Sequence, residues 1–477
     1  MVQITRTTRA GRSSSSRVSK EPGLPFFLRV IGNLFYVSGF LVCYLLVASL
    51  FDEVDETDYH GELSASGSNA LVTKPNIRQA VAARSAIDQQ DERAKTKIAY
   101  VISLTSCGAA YNQTTSDPNA KVFMVAEGAA VLAHSIHRAS VHGELGGRYD
   151  YELVALHHPD ATPCLGVLEQ LGYRLIERKV FVSVEEIEGD YLREKIRSSG
   201  CCGDAELIKF EAYTLMEYPL ALILDLDCLI MRPLDHLFDL MLHGIVPPRE
   251  HLMWPDQPLP SEINFIYTQD YAMVSPQRPV TPVQGGFLLL RPNLQVYEDF
   301  KAMAKKGDFR DKGGWGGKTG RFWGSHTVQG MLPYYYLVLN GGNKSTAVEA
   351  NRCIYNNMVA PSRAGSNAKF RCYVKEEPCR DCQIQPVEDI YSTHFTNCQK
   401  PWLCERHNFH TNSSYLCRSL HHEWFNIRSQ MEISWGRSGT GSAPEWPDRD
   451  MFHGYCASRG SRGYESIATP YGTETSL

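Results

Sequence analysis

The sequence predicts an α/β domain with a mostly parallel central sheet and helices on both of its faces. Short apolar runs of strand length alternate with helical patterns between residues 97 and 240, which is the mark of βαβ units. One such run, Leu220–Leu224, is apolar without a break, as expected of a strand covered on both sides. It stops at Asp225-Leu226-Asp227, at the carboxyl edge where open α/β sheets bind ligands. Acids are costly to bury unless paired or bound to a cation, so this strand end needs a reason.

The elements follow in order. "KIAYVISLTS" (Lys97–Ser106) and "YELVALHH" (Tyr151–His158) read as strands, and the Ala-rich "EGAAVLAHSIHRAS" (Glu127–Ser140) as a helix. "TPCLGVLEQLG" (Thr162–Gly172) reads as a helix with Thr as N-cap, Pro at the first position and Gly at its end. "YRLIERKV" (Tyr173–Val180) is a further strand. "DAELIKFEAYTLMEY" (Asp204–Tyr218) sets Ile208, Ala212, Leu215 and Met216 at helical intervals behind Asp204 as cap. "VQGGFLLLRPN" (Val283–Asn293) reads as a turn leading into an apolar strand, and "KGGWGGKTGRFWGSH" (Lys312–His326) as a Gly/Trp binding loop.

This domain, residues 96–435, has long flanks. Residues 1–29 are rich in Ser and Arg, and Val30–Phe51 then carries no charged residue, enough to cross a bilayer. Six basic residues precede that run and five acidic ones follow it. This predicts one transmembrane helix, with a cytosolic N-terminus and a lumenal domain. Cleaved signals have shorter apolar cores, so an uncleaved anchor is the expectation. Residues 52–95 read as a polar stem and residues 436–477 as a peripheral tail. Anchor plus stem suggests a type II protein of a secretory membrane, with the Golgi as the expected address.

Fourteen cysteines, eight of them after residue 350, suit an oxidising compartment. Cys379-x-x-Cys382 could suggest zinc, but no second closely spaced Cys/His pair accompanies it, so disulfides are the better reading. Sequons at Asn112, Asn343 and Asn412 agree. A net charge of −5 gives no electrostatic footprint for nucleic acid.

In extended backbone the side chains of residues i and i+2 share one side, so Asp225 and Asp227 could hold one hard divalent cation. With 53 acids in 477 residues, acid-x-acid pairs occur by chance about six times, so the pair alone proves little. A second stretch, "YSTHFTNCQKPWLC" (Tyr391–Cys404), adds His394, an imidazole able to complete an N/O metal site. It also adds Lys400, a compact cation suited to phosphate. Taken singly, each would more simply be a packed histidine and a solvated lysine.

Together these stretches resemble the glycogenin-type members of glycosyltransferase family 8. There an Asp-x-Asp ends a buried strand, and a downstream His-Phe-x-Gly-x-x-Lys-Pro-Trp segment returns to the metal and diphosphate. Here the segment runs His394-Phe395-Thr396-Asn397-Cys398-Gln399-Lys400-Pro401-Trp402, with Asn397 at the glycine position. Lys209 resembles the family's lysine on the helix before the metal strand. Ser103-Leu104-Thr105 resembles its first-strand nucleotide contact, and Cys353–Asn357 echoes an Ile-Tyr-Asn segment.

The likeness spans roughly residues 97–405 and implies a single nucleotide-diphospho-sugar transferase (GT-A type) domain. It implies a UDP-sugar donor, Mn2+ on Asp225, Asp227 and His394, and transfer with retention. It implies that Ser103, Leu104, Thr105, Gln284, Gly285, Gly286 and Lys400 contact the donor, and that Gln329 and Lys209 serve the chemistry. The acceptor would be a glycan or protein. The chain departs from the family at Val328, where an acid usually precedes the glutamine. Two other readings stand beside this one: a catalytically silent lumenal protein that binds a UDP-sugar or glycan, and a Mg2+-dependent Asp-x-Asp phosphatase. The phosphatase would need its motif near the domain start and a Thr or Val where Leu229 stands.

Overall fold

The computed structural model describes residues 93–107, 118–270, 280, 282–360, 381–406, 411–444 and 449–467. The predicted cytosolic tail, the span Val30–Phe51, nearly all of the stem and the sequon at Asn112 lie outside the described residues. No helix among the described residues is long and apolar enough to cross a membrane.

In chain order, the strands are β1 (Lys97–Leu104), β2 (Asp150–His157), β3 (Arg174–Glu177), β4 (Ala221–Leu224), β5 (Cys228–Ile230), β6 (Phe265–Gln269), β7 (Val283–Leu290), β8 (Phe309–Arg310), β9 (Gly314–Trp315), β10 (Ala347–Glu349) and β11 (Ser392–His394). The helices are α1 (Pro118–Arg138), α2 (Leu165–Gln170), α3 (Asp190–Lys195), α4 (Asp235–His243), α5 (Leu294–Lys306), α6 (Val328–Pro333), α7 (Asn412–Ser434) and α8 (Arg449–Phe452).

Seven strands form the central sheet in the order β10-β6-β7-β4-β1-β2-β3. Every neighbouring pair is parallel except the two made by β7, which runs antiparallel to β4 and β6. The α/β expectation therefore holds, with one reversed strand. That strand also corrects the reading of "VQGG". Val283–Gly286 is part of β7 and fully buried, and the two glycines allow close approach rather than a turn.

Alternation along β1 and β4 decides what covers the sheet. Tyr100, Ile102, Leu222 and Leu224 join one apolar cluster with Ala129, Leu132 and Ile136 of α1 and Leu237 and Phe238 of α4. Ala99, Val101, Ala221 and Ile223 point the other way, onto Phe300 of α5, Val328 and Met331 of α6, and Leu207, Ile208 and Phe210. Both faces are dry, so a strand here can be apolar throughout.

Three local expectations are corrected. Residues 203–214 form a 3-10 helix whose N-cap is Cys202, not Asp204. Burial from Glu206 through Tyr213 leaves no solvent stripe, and Met216 is 54% exposed. Residues 162–172 divide into a 3-10 turn, Pro159–Cys164, capped by His158, and the short α2. The tail is not peripheral over residues 449–467. Met451, Phe452, Tyr455 and Ile467 pack with Trp424 and Phe425 of α7 into a third apolar cluster, and Cys404–Cys456 fastens it. Composition hid this, because the few apolar residues are scattered among polar ones.

The disulfide expectation holds for the described residues: Cys107–Cys164, Cys353–Cys382, Cys398–Cys417 and Cys404–Cys456. Cys382, half of the Cys-x-x-Cys, is thus bonded to Cys353 rather than offered to zinc.

Candidate metal centre

Asp225 and Asp227 do not lie in extended backbone. β4 ends at Leu224, and the Cys228 amide donates to the Asp225 carbonyl at 3.0 Å, closing a tight turn into β5. The turn, not strand pleating, brings the two carboxylates together. It is held close to α1: a Cβ on Gly128 would lie 2.5 Å from the Leu226 carbonyl oxygen, so only glycine fits there.

The third arm comes from β11, which pairs antiparallel with β5 so that His394 faces Cys228. The Phe395 amide donates to the Asp227 carbonyl at 2.9 Å and fixes the register of the arm. His394 Nε2 lies 3.2 Å from Asp227 Oδ1 and 3.8 Å from Asp225 Oδ2. One ligand atom from each of these residues falls within 4.8 Å of the others. Thus the three predicted ligands are brought together.

Two lysines reach the same carboxylates. Lys209 Nζ, from the 203–214 helix, lies 2.8 Å from Asp225 Oδ1 and donates to the Gly285 carbonyl at 3.0 Å. Lys400 Nζ bonds Asp227 Oδ2 and donates to the Phe395 carbonyl at 2.7 Å. Burial on its own would raise the Asp227 carboxyl, but His394 and Lys400 outweigh it and hold it well below the usual carboxylate range. Burial likewise would lower Lys209, yet Asp225 and Glu206 overcome it and hold the ammonium above its ordinary value.

The site's roof is β7. The Asp225 amide donates to the Gly286 carbonyl at 3.3 Å. A Cβ on Gly286 would meet His394 Cε1 at 2.5 Å and Asp225 Oδ2 at 2.9 Å, so the missing side chain leaves the cluster its room. His394 Nδ1 is buried without a hydrogen-bond partner. A hard carboxylate pair plus one imidazole is the donor set that Mg2+ or Mn2+ accepts, and the residues present fit such an ion.

The other predicted contacts fall as follows. β1 runs three residues past Val101, its last partner with β4, so Ser103 lies at the carboxyl end of β1. Leu104 is buried at 2% exposure and offers a ligand only its backbone, while the Thr105 side chain bonds the Cys202 thiol. Gln284 turns inward: its Oε1 accepts from the Gly286 amide at 2.5 Å and from Asn356 Nδ2 at 3.2 Å, so it braces the roof. Gln329 stands near the unoccupied Cβ position of Gly285, with Cγ at 3.5 Å, and Val328 is buried in the core. Asn397 Nδ2 donates to the Met358 carbonyl at 2.8 Å.

Sequence reasoning missed Glu206 and the Cys201/Cys202 pair, whose sulfurs lie 2.7 Å apart beside Thr105, and it named Asn356 only as part of the Ile-Tyr-Asn segment, without its bond to Gln284. Only the position of Glu206, one turn before Lys209, gave a signal for it. Disulfides brace the Lys400 arm. Cys398 is tied to Cys417 of α7 and Cys404 to Cys456, so the loop carrying Lys400 is fastened at both ends.

No protein-family model matches the chain, and no curated protein matches it. Among solved structures, mouse xyloside xylosyltransferase 1 in its apo form aligns at a TM-score of 0.35 with 12% identity, covering 64% of this chain and 99% of that one. The glycosyltransferase GlyE of Streptococcus pneumoniae aligns at 0.36 with 11% identity, covering 72% and 64%. The galactosyltransferase LgtC, in complex with donor and acceptor sugar analogs, aligns at 0.33 with 13% identity, covering 69% and 96%. At such identity and TM-score, neither family nor activity passes from these structures to this chain.

Proposed function

We propose that this chain is a retaining glycosyltransferase that moves a hexosyl group, glucose-type or glucuronic acid, from a UDP-sugar to a glycan or protein acceptor, with Mn2+ as cofactor. The observation that carries the proposal is the convergence of Asp225, Asp227 and His394 at the ligand-binding edge of the sheet. When bound there, the ion would supply Lewis-acid stabilisation of a leaving diphosphate and a template for it.

The chain's own residues do the rest. Lys209 fixes the Asp225 carboxylate and, through the Gly285 carbonyl, the roof above it. Lys400, with 36% of its side chain exposed, is a point charge able to exchange a carboxylate for a phosphate oxygen. In this reading the end of β1, Ser103 and Leu104, together with Thr105 would contact the nucleotide, and Gln329 would contact the sugar. Residues 30–51 would anchor the protein, type II, in a secretory membrane such as the Golgi, with this site in the lumen.

The test is direct. Full-length protein with Mn2+ and a panel of UDP-sugars, with and without glycan acceptors, is expected to release UDP from one donor and to stop in EDTA. Absence of UDP binding and UDP release across the panel overturns the proposal. Val328 and Asn397 favour the silent-binding reading, for which the same assay gives binding without release.

A further inference from the structure

Glu206 is a buried carboxylate that is not part of the metal cluster. It is 7% exposed, on the 3-10 helix one turn before Lys209. Its Oε2 accepts a hydrogen bond from the Thr327 hydroxyl at 2.6 Å, and its Oε1 has only the longer contact to Lys209 Nζ at 3.8 Å. A buried carboxylate with one close partner and one long ion pair still has an oxygen free to accept a further hydrogen bond.

Two glycines, Gly285 and Gly200, border this carboxylate, and a third, Gly324, borders Gln329. A Cβ on Gly285 would sit 3.6 Å from Glu206 Oε1, 3.6 Å from Lys209 Nζ and 3.5 Å from Gln329 Cγ. A Cβ on Gly200 would sit 3.6 Å from Glu206 Oε2 and 3.4 Å from Gly324 Cα, and one on Gly324 would collide with Gln329 Oε1. Glu206, Lys209 and Gln329 therefore converge on the space over Gly285, next to the residue whose missing side chain makes room for the metal cluster. A carboxyl acceptor beside an amide, both on rigid elements, is chemistry that recognises neighbouring hydroxyls.

We propose that Glu206 is the sugar-binding carboxylate of this site, accepting hydrogen bonds from hydroxyls of the hexosyl ring of the donor, with Gln329 as its partner and Thr327 setting its rotamer. This rests on the reading of the chain as a UDP-sugar-dependent transferase. It assigns the sugar side of the site to the helix that carries Lys209, where position 328 offers only a buried valine.

The test compares Glu206→Gln and Thr327→Val in the full-length protein. Calorimetry with Mn2+ and either UDP or intact UDP-hexose reads binding, and UDP release reads turnover. Loss of a charged hydrogen bond is expected to weaken UDP-hexose binding about tenfold or more in Glu206→Gln, with UDP binding within about threefold of wild type. Turnover should fall further than binding, and Glu206→Asp should recover part of both. Thr327→Val, which keeps the carboxylate but removes the contact that sets its rotamer, should weaken UDP-hexose binding by less than Glu206→Gln does, with UDP binding within about threefold of wild type. The proposal is overturned if Glu206→Gln loses UDP and UDP-hexose alike, if it loses neither, or if Thr327→Val falls as far. If wild type binds no UDP at all, the sugar-transfer reading falls first and takes this role with it.

Discussion

Lys209 Nζ stands 2.8 Å from Asp225 Oδ1 and 3.8 Å from Glu206 Oε1, so one buried ammonium serves two carboxylates with different neighbours. Lys209→Met would leave both without a cation. The expected loss is about 3 kcal/mol, the low end for a broken buried pair, because Asp225 is one-third exposed. Mn2+ should restore part of the melting temperature in this variant, since a ligand of the folded state stabilises it. Thermal melts with and without Mn2+ check this, and a variant as stable as wild type contradicts it.

Gly285 and Gly286 are adjacent, but substitution should separate them. Gly286→Ala drives a methyl to 2.5 Å from His394 and 2.9 Å from Asp225, whereas Gly285→Ala makes only ordinary contacts. Mn2+ affinity by calorimetry should fall at least about tenfold in the first and change little in the second.

Asp227→Asn removes a charge that His394 and Lys400 both face. Metal-dependent UDP release should disappear while circular dichroism stays that of the folded protein. Unchanged turnover would sink the metal assignment.

The Cys404–Cys456 bond closes 52 positions of chain and pins the loop bearing Lys400. Replacing both cysteines with alanine should cost about 4 kcal/mol on the chain-entropy account. Lys400's contribution to UDP binding should weaken too, read as a smaller effect of Lys400→Ala in the disulfide-free background.

His251 is buried, with Nδ1 2.5 Å from the Tyr355 hydroxyl, and burial, then the charge of His236, lowers its pKa to about 4. Between pH about 4 and 6.5 the unfolded chain therefore binds the extra proton. Stability from this group is fully present above about pH 6.5 and is lost as pH falls through 4, by at most about 3 kcal/mol. A His251→Gln variant should show a flatter fall of melting temperature over that range.

The sheet was legible because its signals are local. β1, β2 and β4 are apolar runs whose two faces are both covered, and that pattern survives in the sequence alone. The cluster of Asp225, Asp227 and His394 with Lys400 was legible because motif chemistry named these residues across a separation of 173 positions between Asp227 and Lys400. Three things were not. The Asp-x-Asp turn depends on the closing bond from Cys228 to Asp225, and the direction of β7 depends on its partners. Gln284 is spent on Gly286 and Asn356, which no spacing rule reveals. Glu206 resembles any acid in a helix's first turn, and only its burial against Thr327 and Lys209 sets it apart.

Glu127 accepts from the Tyr464 hydroxyl at 2.5 Å and from the Ile467 amide at 2.7 Å, while buried Arg428 lies 3.8 Å from its Oε2. The next residue, Gly128, abuts Leu226 between the two aspartates. Residues 464–467 thus form a strut behind the corner that carries Asp225 and Asp227. A recombinant protein trimmed at residue 435 would lose that strut and loosen the corner first, whereas an affinity tag hung beyond residue 467 would leave it standing.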